Sequence, residues 1–382
     1  MNQRKLRIGI ITHNYPTTSK ERKDAGIFIY DFAEELSKKA EVFVLCPDFG
    51  GKKENYKEVP VTWFGWGGGS EKFGNWKLYN PLHLWRFLKL IFNGSYMARK
   101  FVDDNAIDIC LACWALPSSI FAWWAKKTIG VQYASWSLGS DVNKYTNYPI
   151  LGTIIKKVIT DADLRFANSY LLLDKVKQIS GKDCKFLPAI TNINVSAPKV
   201  KLPKNKYNFL FVGRLEKVKG PDLLIEACNL LVKTETDFTV NILGGGSMDG
   251  QLKDVSSKVL SKNVYFQGWA DEKKVAGFMK SSDCLVISSR SESLPLVLLE
   301  AAKFALPVIS TDVGDCKRII EKYKIGLVSR KDSAENLSHQ MSLMMRDYKK
   351  IIKKSTRGFA NLSKDFSQEI TAKNFLQEVN KV

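Results

Sequence analysis

Residues 209–224 read FLFVGRLEKVKGPDLL and contain one complete strand–loop–helix unit. A short apolar run ends at Gly213, and a basic loop then leads to Pro221 at the start of an apolar segment. Proline is favoured in the first turn of a helix, because the amide hydrogen that it lacks has no helical partner there. The unit therefore predicts a buried strand, a charged loop at its carboxyl end and a crossover helix.

The same alternation of short apolar runs and longer amphipathic segments extends along the whole chain. It is typical of parallel sheets with crossover helices, so the predicted fold class is α/β with two doubly wound sheets. The predicted strands are 6–11, 42–46, 107–113, 130–134 and 164–167 in the first half, and 209–212, 239–243, 264–267, 284–287 and 307–310 in the second half.

A change in composition divides the two halves. Residues 196–206, SAPKVKLPKNK, contain two prolines and four lysines but no acidic residue, which is typical of a linker. The predicted organisation is a first Rossmann-like domain over 1–196, a linker over 197–206, a second Rossmann-like domain over 207–362, and a closing helix over 363–382 that packs towards the first domain. Ligands of such sheets bind at the carboxyl ends of the strands, so we expect the active site in a cleft between the domains.

The composition limits the possible functions. The chain has 382 residues, of which 45% are hydrophobic and 25% are charged, as in ordinary globular proteins. Its 58 Lys and Arg residues exceed the 39 Asp and Glu residues, and the net charge of +19 predicts an anionic partner. A nucleic acid, a phosphorylated small molecule and an acidic membrane surface all qualify on this ground.

The cysteines and histidines give no metal-site pattern. Seven scattered cysteines lie mostly in apolar runs, and three histidines show no ligand spacing, so we expect buried, reduced thiols and no metal. The apolar run that starts at Ile8 is too short for a signal peptide, and no run is long enough to span a bilayer. These features favour a cytoplasmic protein.

The second informative segment is residues 288–302, SSRSESLPLVLLEAA. It follows a predicted buried strand, and Ser293 and Pro295 predict a helix start, where free amide groups favour phosphate oxygens. Glu292 then lies at the carboxyl end of the strand, and Glu300 lies later on the helix. Eight helical residues would separate the two glutamates by about 12 Å, too far for a glycosidase pair, which needs roughly 5 to 9.5 Å. The pair suits the two ends of an elongated ligand.

Together these two segments resemble the retaining glycosyltransferases of the GT-B fold, specifically glycosyltransferase family 4. The Glu292-x7-Glu300 pair matches the E-x7-E signature of that family, and the stretch from Gly213 to Gly220 matches its G-R-L-x-x-x-K-G element. The glycine turn that begins at Gly244 agrees as well. The resemblance covers the second half of the chain; across the first half it is looser.

The resemblance implies a role for each matching residue. Arg214 and Lys219 would hold the donor diphosphate and stabilise its developing charge without a metal or other cofactor, and Glu292 would contact the transferred sugar. Glu300 would accept hydrogen bonds from the ribose. The other implied donor-side residues are Gly26, Gly213, Gly244, Ser293, Leu294 and Pro295, and Asp141 is implied on the acceptor or sugar side. Leu138 stands where many relatives carry histidine, so the resemblance does not determine which sugar is transferred.

The first half is rich in aromatic residues. Eight of the nine tryptophans precede residue 140, and residues 81–92, PLHLWRFLKLIF, predict an apolar helix with a basic residue every three positions. Such a helix is suited to an anionic membrane surface that carries a lipid-linked acceptor. A buried crossover helix with one solvated stripe is an equally good interpretation.

The leading hypothesis is a metal-independent, retaining glycosyltransferase that uses a UDP- or GDP-sugar and a glycan or lipid-linked acceptor in cell-envelope synthesis, at the inner membrane face. Alternatives are a sugar-nucleotide epimerase on the same fold and a polyanion-binding protein. A dehydrogenase is disfavoured, because Asp249 stands where G-x-G-x-x-G requires glycine or alanine. No nucleic-acid recognition motif is present, so we expect no nucleic-acid partner.

Overall fold

The computed structural model describes residues 4–17, 26–50, 53, 59–67 and 80–382, with only the backbone at residue 259. Residue contacts divide the chain into two units. The first contains Met1–Thr191 and Gln368–Val382, and the second contains Asn192–Ser367. Each unit is built on one parallel sheet, which confirms the predicted α/β class.

The first unit contains a seven-stranded parallel sheet. Its strands are β1 (Arg7–Ile11), β2 (Glu41–Pro47), β3 (Val61–Phe64), β4 (Ile109–Cys113), β5 (Gln132–Ser137), β6 (Leu164–Ala167) and β7 (Lys185–Phe186). They are ordered β3-β2-β1-β4-β5-β6-β7. The chain builds outward from β1 in one direction and then returns to add β4 on the other side, so the strand order reverses between β1 and β4. Ligands of doubly wound sheets bind at such a reversal.

The helices of the first unit start and end at recognisable signals. They are α1 (Ile27–Ser37), α2 (Pro81–Asn105), α3 (Ser118–Ile129), α4 (Ser140–Asn143), α5 (Pro149–Thr160) and α6 (Tyr170–Ser180). The side chain of Asn80 caps α2 by accepting from the amide of Leu82, and Ser169 caps α6 in the same way from Leu172. Gly181 ends α6 in the left-handed conformation that favours glycine.

The second unit contains a six-stranded parallel sheet ordered β10-β9-β8-β11-β12-β13. Its strands are β8 (Tyr207–Val212), β9 (Phe238–Leu243), β10 (Val264–Gly268), β11 (Cys284–Ile287), β12 (Val308–Thr311) and β13 (Gly326–Ser329). Its helices are α7 (Pro221–Leu231), α8 (Asp249–Val259), α9 (Glu272–Ser281), α10 (Leu296–Lys303), α11 (Cys316–Tyr323), α12 (Ala334–Arg346) and α13 (Tyr348–Asp365). Here the strand order reverses between β8 and β11.

The core of each unit lies on the sheet faces. In the second unit, Phe209, Val240 and Ile242 are fully buried between the sheet and its helices. Burying one such side chain stabilises a fold by about 1.5 to 3 kcal/mol. All seven cysteines are buried, free thiols, and burial raises the pKa of Cys110 to about 12. The near-continuous apolar strands are therefore what the two-sided burial of a parallel sheet requires.

The last helix, α14 (Gln368–Val379), belongs to the first unit. The ring of Phe375 packs on Phe32 and Phe166, with centroids 5.7 and 5.4 Å away, and Gln368 donates to the carbonyl of Ile190 at 2.7 Å. Phe366, which the sequence pattern assigned to this helix, instead follows α13 and packs on a side chain of the second unit. The closing helix is thus shorter than the predicted 363–382.

Residues 192–206 group with the second unit although the sequence pattern assigned 192–196 to the first domain. The reason is a set of tertiary hydrogen bonds. The amide of Asn194 donates to Glu272 Oε1 at 2.8 Å, and that of Val200 donates to Ser281 Oγ at 2.8 Å. The amine of Lys280 reaches two carbonyls of the same segment. Side chains of α9 therefore fix this stretch.

Three strands are absent from the sequence prediction: β3, β7 and β13. All three are edge strands, and none has more than four residues. An edge strand pairs with a neighbour on one side only and is often very short, and two to four residues are too few to form the continuous apolar run that marks the inner strands. Within the described part of the chain, no helix combines the length and the apolar character needed to cross a membrane.

Candidate active site

The candidate site is built where the strand order of the second sheet reverses. There the carboxyl ends of β8 and β11 are neighbours. The loop after β8 carries Gly213, the exposed Arg214 and a single 3-10 turn, Lys217–Lys219. The loop after β11 carries Glu292. The two segments singled out in the sequence thus form one edge of the sheet.

Gly220 fixes these two loops against each other. It has φ +64°, and a Cβ atom on it would lie 2.0 Å from the backbone oxygen of Ser288. Ser288 Oγ in turn donates to the Gly220 carbonyl at 2.7 Å. Only glycine tolerates both the left-handed backbone and this close approach. The loops are therefore held backbone to backbone.

This contact brings Lys219 and Glu292 together from positions 73 residues apart. Lys219 Nζ lies 2.6 Å from Glu292 Oε1, and Ser289 Oγ donates to the same oxygen at 2.7 Å. The two charged side chains are 27% and 11% exposed, so the pair is partly withdrawn from water while an edge stays open. An ammonium and a carboxylate at the end of two parallel strands can bind a ligand that carries both phosphate and hydroxyl groups.

Arg290 holds the loop that carries Lys219, and the sequence analysis did not single it out. Its guanidinium donates to both carboxylate oxygens of Asp222, at 2.7 and 2.9 Å, and to the Lys217 carbonyl at 2.9 Å. Its backbone amide donates to the Val218 carbonyl at 2.8 Å. The pairing raises the pKa of Arg290. Arg290 is therefore a positioning residue, and its place between Ser289 and Glu292 was the available signal.

The segment from Ser293 to Pro295 differs from its prediction. Pro295 is extended, with ψ 128°, and α10 begins only at Leu296, so Pro295 precedes the helix and Ser293 does not cap it. The cause is tertiary: the Ser293 carbonyl accepts from the Asp315 amide at 2.9 Å. A Cβ atom on Gly314 would lie 2.3 Å from that same carbonyl oxygen. The loop after β12 thus keeps the chain extended.

Glu300 lies in the second turn of α10 and is partly buried. Because the chain is extended through Pro295, the eight residues between Glu292 and Glu300 are part loop and part helix. The spacing expected for a continuous helix therefore does not apply. Leu294 is buried beside the start of α10.

The two predicted donor-side glycines, Gly213 and Gly244, touch through their backbones. Gly244 has φ +144°, and a Cβ atom on it would lie 1.9 Å from the Gly213 carbonyl oxygen. A Cβ atom on the next residue, Gly245, would lie 2.5 Å from the indole nitrogen of Trp269. Trp269 is 65% exposed and was not predicted as a site residue. The absence of a side chain at Gly245 thus allows the Trp269 indole to lie directly against the glycine turn.

Arg214 has a fixed acidic neighbour, Glu216. The Glu216 carboxylate accepts from the amide and the hydroxyl of Ser247, at 2.9 and 2.7 Å. These bonds lower the pKa of Glu216, and the charge of Arg214 lowers it further. Arg214 itself is exposed, so its guanidinium remains accessible from solvent at the strand end.

Two predicted residues, Gly26 and Asp141, lie in the first unit. A Cβ atom on Gly26 would lie 2.2 Å from the Asn14 carbonyl oxygen, so the start of α1 is pressed onto the loop after β1. The buried carboxylate of Asp141 accepts from the amides of Ala115 and Gly139, at 2.8 and 2.9 Å. Burial nevertheless raises its pKa. Asp141 joins the turns after β4 and β5, and its sugar-side role stays a prediction.

The reversal of the first sheet, between β1 and β4, brings together His13 and Trp114. Their rings are 4.6 Å apart, and His13 Nδ1 lies 3.5 Å from Ser118 Oγ at the start of α3. Burial lowers the pKa of His13 to about 3, so its ring is neutral at physiological pH. Trp114 has φ +70°, a strained value that is often found at functional sites. The position of His13 directly after a strand was its only sequence signal.

Comparison with known proteins identifies a family model and related sequences. Residues 192–358 match the family model of the glycosyl transferases group 1. A protein from the cps region of Klebsiella pneumoniae, without an assigned function, is 31% identical over 41% of this chain and 42% of its own length. TuaC of Bacillus subtilis, whose description assigns it to teichuronic acid biosynthesis as a glycosyltransferase, is 28% identical over 62% of this chain and 60% of its own length. The chain thus spans less than two thirds of either relative.

Solved structures match over nearly the whole chain. Sucrose-phosphate synthase of Thermosynechococcus elongatus has a TM-score of 0.79 at 16% identity and covers 98% of each chain. HepE of Anabaena in complex with UDP has a TM-score of 0.74 at 15% identity, over 99% of this chain and 100% of its own. Identities this low show the fold alone. The chain therefore has the GT-B fold, and its residues 192–358 match the family model of the glycosyl transferases group 1.

Proposed function

We propose that this protein is a retaining, metal-independent glycosyltransferase of family 4, which moves a sugar from a UDP- or GDP-sugar to a glycan or lipid-linked acceptor in cell-envelope polysaccharide or glycolipid synthesis. The family match over residues 192–358 supports glycosyl transfer as the reaction class. We propose further that the protein works in the cytoplasm, at the inner face of the membrane.

The observation that carries the proposal is the contact between Lys219 and Glu292 at the reversal of the second sheet. Transfer breaks the bond between the sugar and the diphosphate, and the electron pair of that bond stays on a phosphate oxygen. An acceptor hydroxyl forms the new bond to the sugar, and its proton passes to the departing diphosphate. Lys219 and Arg214 would stabilise this growing charge electrostatically. Glu292, whose Oε1 lies 2.6 Å from the Lys219 ammonium, would accept hydrogen bonds from the sugar.

The two cations can replace a metal in this role. A nucleoside diphosphate binds well where guanidinium and ammonium groups donate several hydrogen bonds to its oxygens. The described residues contain no group of three or more side chains suited to hold a metal ion. We propose that Arg214 and Lys219 neutralise the diphosphate and that Glu300 binds the ribose.

The donor and acceptor assignments rest on separate units. HepE, a GT-B neighbour, was solved with UDP, which supports a uridine nucleotide as the first donor to test. For the acceptor we propose the reversal of the first sheet, where the neutral ring of His13 packs against the indole of Trp114 and the two rings offer aromatic surface to a sugar. The relationship to TuaC supports an acidic envelope polysaccharide as the product class.

The test has two stages. Thermal shifts with UDP-, GDP- and ADP-sugars identify the donor, because a ligand that binds the folded state raises its melting temperature. Donor turnover is then measured for Arg214→Ala, Lys219→Ala and Glu292→Ala, with the exposed Lys258→Ala on α8 as the matched control. We expect losses of about a hundredfold or more for the site variants and wild-type rates for the control.

Three results would contradict the proposal. Wild-type rates in all three site variants would remove the site from the reaction. Conversion of the nucleotide sugar into its epimer without any acceptor would identify an epimerase. Binding only to polyanions, lost at moderate salt and without any donor-induced shift, would identify nonspecific electrostatic attraction.

A further inference from the structure

Helix α2 is apolar on two opposite faces over its first four turns. One face packs into the first unit, where it buries Phe87, Leu90, Gly94, Ala98 and Phe101. The fit is close: a Cβ atom on Gly94 would lie 2.3 Å from the ring of Phe121 on α3. This face accounts for the fold of the helix, but it does not account for the other face.

The opposite face is exposed. The outer face of α2 consists of six large hydrophobic side chains that are 43–76% exposed: Leu82, Leu84, Trp85, Leu88, Phe92 and Tyr96. At 100° per residue, four of them lie within an arc of about 80°, so they form a continuous stripe along the helix. Monomeric soluble proteins rarely expose such a stripe without a binding partner.

Positive charge surrounds this apolar stripe. Lys89 Nζ lies 3.6 Å above the ring of Trp85, so its charge is held directly over the outer face of α2. Arg99 and Lys100 follow on the exposed side of the same helix. The first acidic residue of α2 is Asp103, at its far end. Residues 81–102 of α2 therefore combine apolar and aromatic side chains with cations and contain no carboxylate.

We propose that the outer face of α2 binds an anionic lipid bilayer, with the helix lying in the plane of the membrane. A helix with apolar and aromatic side chains and neighbouring cations enters the headgroup region to a depth of about 5 to 10 Å. Lys89 would then meet lipid phosphates while its stem and the Trp85 ring stay in the apolar layer. Of the two interpretations of this helix, the exposed stripe favours the membrane surface.

A second copy of the chain fits this surface less well. The six side chains expose roughly 600 Å² together, judged from their exposed fractions and the usual size of such side chains. A stable interface needs about 800 Å² from each partner. In a two-fold symmetric pair the cations on α2 would also face their own copies, and like charges repel. A bilayer has neither limitation.

This inference deepens the proposed function and rests on it in one respect only. If the acceptor is lipid-linked, a helix lying on the membrane keeps the first unit, and its proposed acceptor residues, close to the lipid surface. Binding to the bilayer itself does not require transfer activity. The two ideas can therefore fail separately.

The test is co-sedimentation of the full chain with phosphatidylcholine vesicles, with and without phosphatidylglycerol. We expect binding only when the anionic lipid is present, and a loss of about tenfold or more for Leu88→Ser/Phe92→Ser. Val255→Ser/Tyr265→Ser removes two exposed hydrophobic side chains of the second unit and should bind normally. A charge variant, Lys89→Gln/Lys100→Gln, should lose about fivefold in vesicle affinity per substituted residue at low salt. The control Lys349→Gln/Lys350→Gln removes the same charge from α13 and should lose less vesicle affinity.

The outcomes separate cleanly. Unchanged vesicle binding in the α2 double serine variant, equal binding to neutral vesicles, or a dimer that this variant dissociates would each overturn the proposal. A donor-induced thermal shift equal to that of the wild type shows that the variant is folded. If the wild type itself shows no donor-induced thermal shift, that result counts against the proposed glycosyl transfer and not against membrane binding.

Discussion

Replacing Glu292 by glutamine should tighten the binding of UDP while it slows transfer. The Glu292 carboxylate forms an ion pair with the Lys219 ammonium, at 2.6 Å. A diphosphate that arrives at this site must share that ammonium and also lies close to the carboxylate. Glutamine keeps the shape of the side chain but removes the negative charge, so it frees Lys219 for phosphate.

The size of the effect follows from the geometry of the pair. Two unit charges at this distance interact by about 1.6 kcal/mol at the dielectric constant of water, and by more where water is excluded. The side chains are 27% and 11% exposed, so solvent screens part of the larger value. Partly exposed ion pairs contribute about 1 kcal/mol. We therefore expect the Kd for UDP to fall about fivefold, because 1.4 kcal/mol corresponds to tenfold.

Isothermal titration of UDP against four proteins measures this effect: the wild type, Glu292→Gln, Lys219→Met and the double variant. The gain should vanish when Lys219 is absent, so the double variant should bind UDP as Lys219→Met does. Glu226→Gln, on the exposed side of α7, is the matched control and should leave the Kd unchanged. Turnover of the donor sugar by Glu292→Gln should fall by about a hundredfold, because a neutral amide oxygen accepts weaker hydrogen bonds from the sugar than a carboxylate does.

An unchanged or weaker affinity for UDP in Glu292→Gln, at a wild-type melting temperature, would refute the reasoning. It would mean that Lys219 does not reach the diphosphate. A gain that persists without Lys219 would equally refute it, since the effect would then arise from another cation.

Three further results are expected. Arg290→Met should lower the free energy of unfolding in urea by about 1 to 2 kcal/mol, after allowance for the partial exposure of Arg290. It should also reduce turnover, because the loop that carries Lys219 loses its hydrogen bonds to the guanidinium. Unchanged turnover would contradict the positioning role of Arg290. Gly220→Ala should destabilise by about 3 kcal/mol or more because it adds a backbone clash to a left-handed φ, whereas Gly181→Ala, with φ +65° and open space around it, should lose only about 1 kcal/mol. Burial lowers the pKa of His13 to about 3 in the folded state, below its unfolded value, so the stability of the fold is full above about pH 6.5 and falls as the pH drops. Between about pH 7 and pH 5 the free energy of unfolding of the wild type should fall by about 2 kcal/mol more than that of His13→Gln. Equal losses in the two proteins would contradict the burial of His13.

The two sheet reversals explain why so few residues define the candidate sites. In each unit, the loops after two adjacent strands diverge at the reversal, which is where doubly wound sheets bind their ligands. In the second unit Lys219 and Glu292 lie at this position, and in the first His13 and Trp114 do. The same sheet arrangement thus presents a charged pair in one unit and an aromatic, neutral pair in the other.

The amino-acid sequence alone determined the inner strands and the loops that follow them. Both depend on local rules: buried parallel strands need continuous apolar runs, and Gly220 and Pro221 mark a turn and a helix start wherever they occur in that order. This is why the α/β class could be predicted and why Lys219 and Glu292 could be selected, although 73 residues separate them.

Tertiary structure alone decided the rest. Three features depend on partners that are distant in sequence: the edge strands, the hydrogen bonds from Arg290 to Asp222, and the extended chain at Pro295. No local sequence pattern specifies such a partner. Helix α2 shows the reason most directly. Its sequence is apolar on two faces, and only the packing of Gly94 against Phe121 determines which face is buried and which one remains available to a membrane.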